Sequence, residues 1–535
     1  MRFARTLGDL VDALAAAQPE VDAVVCRGDR ASYRTLRARA DEFARALLAV
    51  GVHKGDRVAL LLPNRLEWII AALGAAKIGA ITVGVSTFSS PREVAWVLEH
   101  CRPTALITLE SFRGRSYLGP LFELCPELER GAPGETQSPR LPELRAVVCV
   151  DGRRHDGVYS FADFVARAAE VSERHRATAQ TAVTPSDLCY ILYTSGSTAT
   201  PKGVTLGHGG VVDNGFSIGE RQRLGATDRL WLAVPLFWSF GSANALPAIL
   251  THGGTIVLQE SFEAGEALAL LDDERCTVYY GMPHMARAIL EHPDRPRRRL
   301  ATMRTGLTIG LPENIQLTID AVGARELCNV YGSTETYGNC AVTDARDPLT
   351  VRLETQGFPL PGTDIRVVDP ETGRSLPRGE VGEFRVKGHV TPGYHGDLEH
   401  TRAGFDRDGY FITGDLGLLD EDGRVRFRGR LKEIIKTGGI NVAPLEVEAI
   451  LTGHDAVRQA YVVGIPDRDR GELVVAAIEL REGAAATAET LTTFCRNRLA
   501  SYKIPVRFVF RKAEEFPRTP TGKIHKPRLR DELMA

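Results

Sequence analysis

The sequence lacks an excess of charge of either sign. Its 66 lysines and arginines nearly balance 68 aspartates and glutamates, and the net charge is −2. This balance gives no electrostatic reason to expect nucleic acid as a partner. Small anionic ligands are still allowed, because a local basic loop binds them whatever the net charge.

The sequence also lacks paired cysteines and long apolar runs. Its nine cysteines are scattered without a Cys-x-x-Cys motif, which predicts reduced thiols rather than a disulfide framework. The apolar stretch at residues 68–85 is interrupted by Lys77 and several glycines, and the amino terminus carries charges where a signal peptide would be apolar. We therefore expect a cytoplasmic protein that does not insert into a membrane.

What the sequence does have is length and a regular alternation of segments. A chain of 535 residues is too long for one compact core, so two or more domains are expected. Helix-like patterns alternate with apolar, strand-like runs, and this rhythm predicts an α/β fold with a parallel sheet. The strand-like runs are residues 57–62, 80–85, 104–108, 145–150 and 188–193, and the helix-like patterns between them include 65–78 and 91–101.

Three later stretches depart from this rhythm. Residues 110–142 are rich in glycine, proline and charge, and they are predicted to be an irregular surface insertion. Residues 362–428 contain short strands with turn signals, which predict an antiparallel β subdomain. A small αβ unit of about 100 residues follows from Lys432 onward.

One loop carries a chemical signal by itself. A strand-like run leads directly into Thr194-Ser195-Gly196-Ser197-Thr198 and then Pro201-Lys202-Gly203. Backbone N–H and hydroxyl groups beyond a strand end donate to phosphate oxygens, and the Lys202 ammonium offsets their charge. A polar surface turn is the plain alternative. The ordered string favours a phosphate site, although it lacks the order of a Walker P-loop.

The string from Tyr193 to Val204 resembles the phosphate loop of the adenylate-forming (AMP-binding) superfamily, which includes acyl- and aryl-CoA synthetases. The resemblance implies that ATP activates a carboxylic acid as an acyl-adenylate. Ala199 stands where the family usually has glycine, at a cost of about 1 kcal/mol if the backbone there needs a positive φ. A nucleotide-binding relative that does not catalyse is therefore one alternative.

The segment Asn329-Val-Tyr331-Gly332-Ser-Thr334-Glu335 is similar to the family's second nucleotide segment. The resemblance implies that Tyr331 stacks on adenine, that Asn329 meets its amino edge, and that Gly332 belongs to the same site. It also implies that Thr334 contacts phosphate and that Glu335 holds Mg²⁺, and one hard carboxylate suits a water-rich Mg²⁺ site. In isolation, the same residues would be read as a surface turn.

Three segments nearer the carboxyl end continue the resemblance in the family's order. Asp415, in Thr413-Gly414-Asp415, is implied to accept hydrogen bonds from the ribose hydroxyls. In Gly429-Arg430-Leu431-Lys432-Glu433, Arg430 is implied to bind ribose or phosphate and Lys432 to be a hinge residue. Lys523, near the end, is implied to bridge the carboxylate and the α-phosphate, where negative charge builds up.

The same resemblance implies the domain organisation and the second substrate. A large N-terminal domain of parallel α/β sheets with a β subdomain is expected over residues 1–430, and a mobile α+β C-terminal domain over 431–535. The loop containing Gly438, Gly439 and Asn441 resembles the one that lines the pantetheine tunnel, where glycines let a narrow ligand pass. Coenzyme A is therefore the implied acceptor of the acyl group.

The family's acid pocket is formed by stretches that are equally consistent with core packing. No acidic residue lies near Trp238 to pair with an α-ammonium, so an apolar or aromatic carboxylate is favoured over an amino acid. The residues predicted to bind it are Trp238, Phe240, Tyr280, Gly281, Met282, Gly306, Thr308 and Tyr337.

The expected reaction is a ligation in two half-reactions. Lys523, Lys202, Thr194 and Glu335 are the predicted catalytic residues, with ATP, Mg²⁺ and coenzyme A as cofactors or co-substrates. The acid is aromatic, alicyclic or of medium chain length. A carrier protein or an amine is the alternative acceptor, and a carrier is expected to be a separate protein, because no phosphopantetheine site follows residue 535.

Overall fold

The computed structural model describes residues 5–135, 137–151, 154–194, 201–437, 440–468, 470–496, 498–519 and 523–534. The chain divides into two compact units, Met1–Asp364 with Val386–Phe411 and Ile365–Arg385 with Ile412–Ala535. Residues 425–430 pack against the helix at 444–452 within the second of these units, and the domain boundary expected at residue 430 stays a prediction. The hinge at Lys432 concerns motion and stays a prediction.

The strands are short, and most are bounded by helices or tight turns. In chain order they are β1 (Asp22–Cys26), β2 (Asp29–Ser32), β3 (Arg57–Leu60), β4 (Ile81–Gly84), β5 (Ala105–Thr108), β6 (Ser111–Phe112), β7 (Arg115–Ser116), β8 (Ala146–Cys149), β9 (Tyr159–Ser160), β10 (Leu188–Thr194), β11 (Lys202–Gly207), β12 (Arg229–Leu232), β13 (Thr255–Leu258), β14 (Val278–Tyr280), β15 (Thr305–Thr308), β16 (Glu326–Tyr331), β17 (Ala341–Val342), β18 (Phe358–Pro359), β19 (Thr363–Val368), β20 (Gly382–Gly388), β21 (Phe411–Leu419), β22 (Val425–Arg430), β23 (Ile435–Thr437), β24 (Ile440–Val442), β25 (Val457–Asp467), β26 (Gly471–Leu480) and β27 (Arg507–Phe510).

The α-helices lie mainly between consecutive strands. They are α1 (Leu7–Ala17), α2 (Tyr33–Ala49), α3 (Leu66–Lys77), α4 (Pro91–Cys101), α5 (Leu118–Leu124), α6 (Phe161–Ala166), α7 (Glu173–Thr181), α8 (His208–Gln222), α9 (Leu246–Thr251), α10 (Ala264–Asp273), α11 (Pro283–Glu291), α12 (Pro312–Val322), α13 (Leu349–Glu354), α14 (Leu398–Ala403), α15 (Pro444–Thr452), α16 (Ala488–Arg496) and α17 (Lys526–Met534). Shorter turns are a π-helix at Phe240–Ala245 and 3₁₀ helices at Pro126–Glu129, Arg167–Glu170, Arg295–Arg297, Thr334–Thr336, Leu431–Glu433, Ser501–Lys503 and Ala513–Glu515.

Two large sheets form the first unit, as the βαβ rhythm predicts. One has seven strands in the order β11-β10-β4-β3-β5-β8-β9, all parallel except for the antiparallel pair β10–β11. The other has nine strands in the order β18-β17-β16-β15-β14-β12-β13-β1-β2, parallel from β16 to β1. Parallel strands place their carboxyl ends at one edge of each sheet, where open α/β sheets bind ligands.

Helix α3 shows why the most apolar stretch of the chain is a core helix. It packs against β3 and β4 of one sheet and β1 of the other, and every residue from Trp68 to Lys77 is buried. The buried Lys77 ammonium lies 2.5 Å from Asp12 and 2.6 Å from Asp41, so its charge is compensated. Within the described residues, no helix is both long and apolar enough to cross a membrane. All nine cysteines are buried as thiols, and none of them forms a disulfide.

The prediction that residues 110–142 form an irregular surface insertion is wrong for much of that stretch. It contains the paired strands β6 and β7 and the helix α5. Leu118, Leu121, Leu124 and Leu128 are buried in the main core cluster. Leucines at 118, 121, 124 and 128 recur at helical spacing, so burying one face outweighs the local frequency of glycine, proline and charge.

The smaller sheets follow their sequence patterns closely. Residues 362–428, predicted to form an antiparallel β subdomain, contribute to a four-stranded sheet in the order β19-β20-β21-β22, with β21 and β22 antiparallel. The carboxyl-terminal part has a five-stranded sheet in the order β24-β23-β26-β25, with β27 parallel to β26. Helices α15 and α16 pack on it around Val447, Leu451 and Leu491, which are buried.

Candidate active site

The predicted phosphate loop connects two paired strands. Thr194 ends β10 and Lys202 begins β11, and these two residues are opposite each other in the antiparallel pair. Because β10 is parallel to β4, Thr194 lies at the carboxyl edge of the seven-stranded sheet. The structure thus places Thr194 and Lys202 at a ligand-binding edge. Ser195, Gly196, Ser197, Thr198 and Ala199 lie outside the described residues.

The tyrosine Tyr394 joins this edge to the predicted metal carboxylate. Its hydroxyl donates to Glu335 Oε1 at 3.0 Å, and the Lys202 Nζ lies 5.2 Å from the centre of its ring. Burial and the Glu335 charge raise the pKa of Tyr394, so the hydroxyl stays protonated and is the donor. One side chain therefore touches both a predicted phosphate-binding lysine and a predicted Mg²⁺ ligand.

Backbone hydrogen bonds hold Tyr394 in this position. Thr391 N donates to Glu335 O at 2.6 Å, and His395 N donates to Gly203 O at 2.8 Å. Gly393 O accepts from the Thr205 hydroxyl at 2.6 Å. The segment 391–395 is thereby bound on one side to β11 and on the other to the Glu335 turn, so the three charged and aromatic groups keep a set geometry.

The second predicted nucleotide segment follows β16. Asn329 is fully buried, and its amide donates to Thr355 O at 3.0 Å and accepts from Val330 N at 2.8 Å. Tyr331 ends the strand, and a Cβ at Gly332 would lie 2.5 Å from Asn339 Cα, so only glycine fits there. Thr334 shares a hydroxyl–hydroxyl hydrogen bond of 3.0 Å with Ser239.

Four neighbouring parallel strands of the nine-stranded sheet end beside the predicted acid pocket. Strands β16, β15, β14 and β12 are adjacent in that order, so the residues that follow them meet at one edge. These residues are Trp238 and Phe240 after β12, Gly281 and Met282 after β14, Thr308 at the end of β15 and Tyr331 at the end of β16. The structure brings the predicted acid and adenine residues together.

The aromatic residues of this pocket differ in exposure. Trp238 and Phe240 are half-buried, and Phe240 begins a π-helix, a distortion frequent at functional sites. Tyr280 is fully buried beneath Phe240, where its hydroxyl accepts from Gln222 at 2.7 Å and donates to Asn244 at 3.1 Å. The apolar surface left for a ligand comes mainly from Trp238 and Phe240.

Three of the predicted pocket residues have a structural reason for their identity. A Cβ at Gly306, whose φ is +153°, would lie 2.0 Å from Tyr279 O. The Thr308 hydroxyl donates to Gly281 O at 2.9 Å. The Tyr337 hydroxyl accepts from Gly207 N at 3.0 Å. Packing thus accounts for these side chains, and their role toward an acid stays a prediction.

In the second unit, three predicted nucleotide residues interact with one another. Asp415 is buried, and its Oδ1 lies 3.2 Å from Arg430 Nε across the β21–β22 pair. Lys523 is an exposed residue. Partial desolvation of its ammonium and the nearby Arg430 charge lower the pKa of Lys523, while the Asp415 charge raises it. The two cations and the buried carboxylate form one electrostatic group.

The hinge and pantetheine residues are described only in part. Lys432 is exposed on a 3₁₀ turn at Leu431–Glu433. Gly438 and Gly439 lie outside the described residues, and the flanking strands β23 and β24 pair through Thr437 and Ile440. Asn441 lies on β24.

Comparison with known proteins identifies the family. Residues 11–395 match the AMP-binding enzyme family, and residues 446–523 match the AMP-binding enzyme C-terminal domain. The chain is an AMP-binding enzyme. It is 35% identical over 535 residues to the Bacillus subtilis protein YngI, which bears the name of an acyl-CoA synthetase, across 99% of this chain and 97% of YngI.

Two further relatives of the AMP-binding enzyme extend the comparison. The mitochondrial medium-chain acyl-CoA ligase ACSF2 of Bos taurus is 32% identical over 541 residues, across 99% of this chain and 88% of the ligase. ATP-bound MatB from Rhodopseudomonas palustris matches the fold with a TM-score of 0.85 at 28% identity, across 98% of this chain and 99% of MatB. The predicted family, fold class and enzyme class, an AMP-forming acid–thiol ligase, are confirmed, and membership implies the use of ATP and coenzyme A.

The sequence patterns missed two residues of the AMP-binding enzyme's site. Tyr394 contacts Glu335 across 59 positions, and Ser239 contacts Thr334 across 95. Gly393-Tyr394 lies in the connection between β20 and α14. No local period or motif signals such a pairing, although a glycine directly before an aromatic residue, as in Gly393-Tyr394, is a mild hint of a close backbone approach.

Proposed function

We propose that this enzyme activates an apolar carboxylic acid with Mg²⁺ and ATP and then transfers the acyl group to coenzyme A. The observation that carries the proposal is the hydrogen bond between Ser239 and Thr334. Ser239 stands between the pocket residues Trp238 and Phe240, and Thr334 precedes Glu335. The bond therefore joins the acid pocket to the nucleotide segment, which is the juxtaposition that an attack of the acid on ATP requires.

The pocket favours an apolar acid of medium chain length. Trp238 and Phe240 offer aromatic surface, and Phe88 and Phe237 pack edge-on against Trp238 with ring centres 5.9 Å and 6.0 Å away. An apolar wall of this kind binds a hydrocarbon chain or ring by excluding water. The similarity to ACSF2, a medium-chain acyl-CoA ligase, supports a medium-chain acid, and aromatic and alicyclic acids are the alternatives to test.

In the first half-reaction, a carboxylate oxygen of the acid bonds to the α-phosphorus of ATP. The bond from that phosphorus to the bridging oxygen breaks, and pyrophosphate leaves with the electron pair. Lys202 and the loop after Thr194 stabilise the departing phosphates, Tyr331 stacks on adenine, and Asp415 and Arg430 bind the ribose side. Lys523 bridges the attacking carboxylate and the α-phosphate, where charge develops.

Glu335 fits the role of Mg²⁺ ligand. It is half-buried, and no ion pair of Glu335 within 4.0 Å is found in the described part of the chain. Among the described residues, no cluster of three or more His, Cys, Asp or Glu side chains is placed to hold a metal. A site with one carboxylate, completed by phosphate oxygens and water, suits Mg²⁺. When bound, Mg²⁺ neutralises phosphate charge.

Replacing Tyr394 by phenylalanine is expected to weaken Mg²⁺ binding selectively. The change removes the hydroxyl that orients Glu335 but keeps the ring beside Lys202. A hydrogen bond to a charged group contributes about 1.5–3 kcal/mol, so the apparent dissociation constant for Mg²⁺ in ATP–pyrophosphate exchange should rise about ten- to hundredfold. Titration of Mn²⁺ by electron paramagnetic resonance, with ATP present, measures binding apart from turnover.

Tyr410→Phe is the matched control for that change. Tyr410 also donates to a carboxylate, Asp364, in the same unit. The Tyr410→Phe variant should leave the affinity for Mn²⁺ unaltered. Equal losses in both variants, or an unaltered Mn²⁺ affinity in Tyr394→Phe, would show that Tyr394 has no role in orienting Glu335.

The pH dependence of the first half-reaction should report on Lys523. The bridging role needs a protonated ammonium, so activity is lost as pH rises through its pKa, which is lowered from the usual 10.5. Arg430→Gln removes a like charge and should move the alkaline limb to higher pH. Asp415→Asn removes an opposite charge and should move it to lower pH. If the alkaline limbs of the pH–rate profiles coincide in the unmodified enzyme and in both variants, a group other than Lys523 titrates there.

In the second half-reaction, a thiolate attacks the acyl carbon and AMP leaves. We propose that the carboxyl-terminal domain turns about Lys432 and brings Gly438, Gly439 and Asn441 to the acyl-adenylate. Coenzyme A is the acceptor that the family relationship supports. A carrier protein or an amine would accept the same acyl-adenylate, so the acceptor is decided by assay.

A pyrophosphate-release screen tests the proposed function. Medium-chain, aromatic and alicyclic acids are each incubated with enzyme, ATP and Mg²⁺, and active acids are then offered coenzyme A, a carrier protein or small amines. The expected result is release with medium-chain acids and thioester formation with coenzyme A alone. Release without thioester would redirect the proposal to another acceptor, and ATP binding without release across the panel would indicate a non-catalytic relative.

A further inference from the structure

A second cavity lies in the first unit, and Phe88 is the residue that it shares with the wall of the proposed acid site. It has a volume of about 560 Å³ and is lined by the loop after β4, helix α4, strand β7 and helix α5. Leu61, which follows β3, and Leu106 and Thr108 of β5 also line it. Small-molecule sites usually measure about 300–1,000 Å³, so this cavity is large enough for a ligand of its own.

The cavity changes from apolar to polar along its length. Its inner end is formed by side chains that are buried, among them Leu98, Leu121 and Leu124. Its mouth is formed by exposed residues, Ser90, Glu93, Arg115 and Ser116. A molecule with an apolar body and a polar head matches this gradient, because the body leaves water while the head stays hydrated.

The charge at the mouth selects the head group. Glu93 already accepts from Ser90 N at 2.7 Å and from the Ser90 hydroxyl at 2.9 Å in a capping box. Arg115 donates one N–H to Phe88 O at 3.0 Å, and no carboxylate in the described ranges lies within 4.0 Å of it. The guanidinium keeps donors for an anion, and a carboxylate is the planar partner that it binds best.

We propose that this cavity is a second binding site, for a medium-chain carboxylate whose chain lies among the leucines and whose head meets Arg115. The site differs from the acid pocket, because none of the predicted acid-binding residues lines it. The two are neighbours through Phe88, which lines the cavity and whose ring lies 5.9 Å from that of Trp238. The proposal does not depend on the reaction proposed above.

Photo-crosslinking with a ten-carbon carboxylic acid that carries a diazirine tests the site directly. Mass spectrometry of the digested full-length protein distinguishes cavity peptides, residues 88–98 and 115–124, from acid-pocket peptides, residues 235–245 and 279–285. Ala95→Trp fills the cavity from α4 and should abolish cavity labelling. Arg115→Gln should reduce it about tenfold, the effect of one lost charge-assisted hydrogen bond. Arg113→Gln, in the same hairpin but outside the cavity lining, is the control and should label normally.

The outcomes separate this site from the proposed reaction. Cavity labelling that is lost in Ala95→Trp and weakened in Arg115→Gln, with the Arg113→Gln control unaffected, supports the site. Absent cavity labelling in the unmodified protein, or labelling that both variants retain, overturns it. Labelling of the acid-pocket peptides and pyrophosphate release report on the proposed reaction instead. Thermal melts confirm that each variant is folded, and Arg115→Gln, an exposed change, keeps the test valid should Ala95→Trp unfold.

Discussion

Replacing Lys523 by alanine is expected to slow acid-dependent ATP–pyrophosphate exchange by about 10²–10³-fold, the usual cost of losing one group that stabilises developing charge. Thioester formation from supplied acyl-adenylate and coenzyme A should be nearly unchanged. The bond between the carboxylate and the α-phosphorus already exists in that substrate, so the step that Lys523 assists is bypassed. The two half-reactions are measured separately, by isotope exchange and by thioester absorbance. The ratio of the two losses is the informative quantity.

Two further variants define what Lys523 contributes. Lys523→Arg keeps a cation and should recover part of the exchange rate, although its planar group cannot reproduce the same geometry. Lys512→Ala removes an exposed lysine from the same unit and should leave both half-reactions unaltered. Equal losses in exchange and in thioester formation for Lys523→Ala would remove Lys523 from the first half-reaction.

Replacing Glu335 by glutamine is expected to lower kcat/KM for ATP with Mg²⁺ by about 10²-fold, because the amide keeps the shape of the side chain but not its charge. The half-buried carboxylate is the only Mg²⁺ ligand that the proposal assigns to the protein. Mn²⁺ binding in the presence of ATP, followed by electron paramagnetic resonance, should weaken in parallel. This second measurement does not depend on turnover.

The matched control is Glu313→Gln, an exposed glutamate in the first turn of α12. It removes one negative charge from the same unit and should change neither activity nor Mn²⁺ binding. Loss of activity in Glu335→Gln with normal Mn²⁺ binding would place the effect in the geometry of the Tyr394 hydrogen bond. The metal role of Glu335 would then be wrong.

Much of the fold could be predicted from local patterns. The strands near residues 57–62 and 80–85 and the helix near 65–78 lie where apolar periodicity places them, because burial of one face produces that periodicity. The prediction for 110–142 is wrong for much of that stretch, because its frequent glycines, prolines and charges conceal the helical spacing of the leucines in α5 and the following turn. Local composition and tertiary burial compete there, and burial prevails.

The candidate site could be predicted only as a set of residue types. Thr194, Lys202, Glu335, Asp415, Arg430 and Lys523 were identified from their motifs, and the family match supports the class of reaction. The partners of these residues were not predictable. Tyr394 and Ser239 belong to no short motif, yet each makes a hydrogen bond to the nucleotide segment.

The phosphate loop, the nucleotide segment and their order along the chain are determined by the sequence alone, because each depends on a few consecutive residues beside a strand. The tertiary structure decides which of them meet. Pairing Val204 with Tyr394 and bonding Thr391 to Glu335 brings Lys202 and Glu335 next to the same tyrosine. Such contacts form between residues far apart in sequence, and local patterns report only on near neighbours. The same holds for the second cavity, whose walls come from four separate segments that only packing brings together.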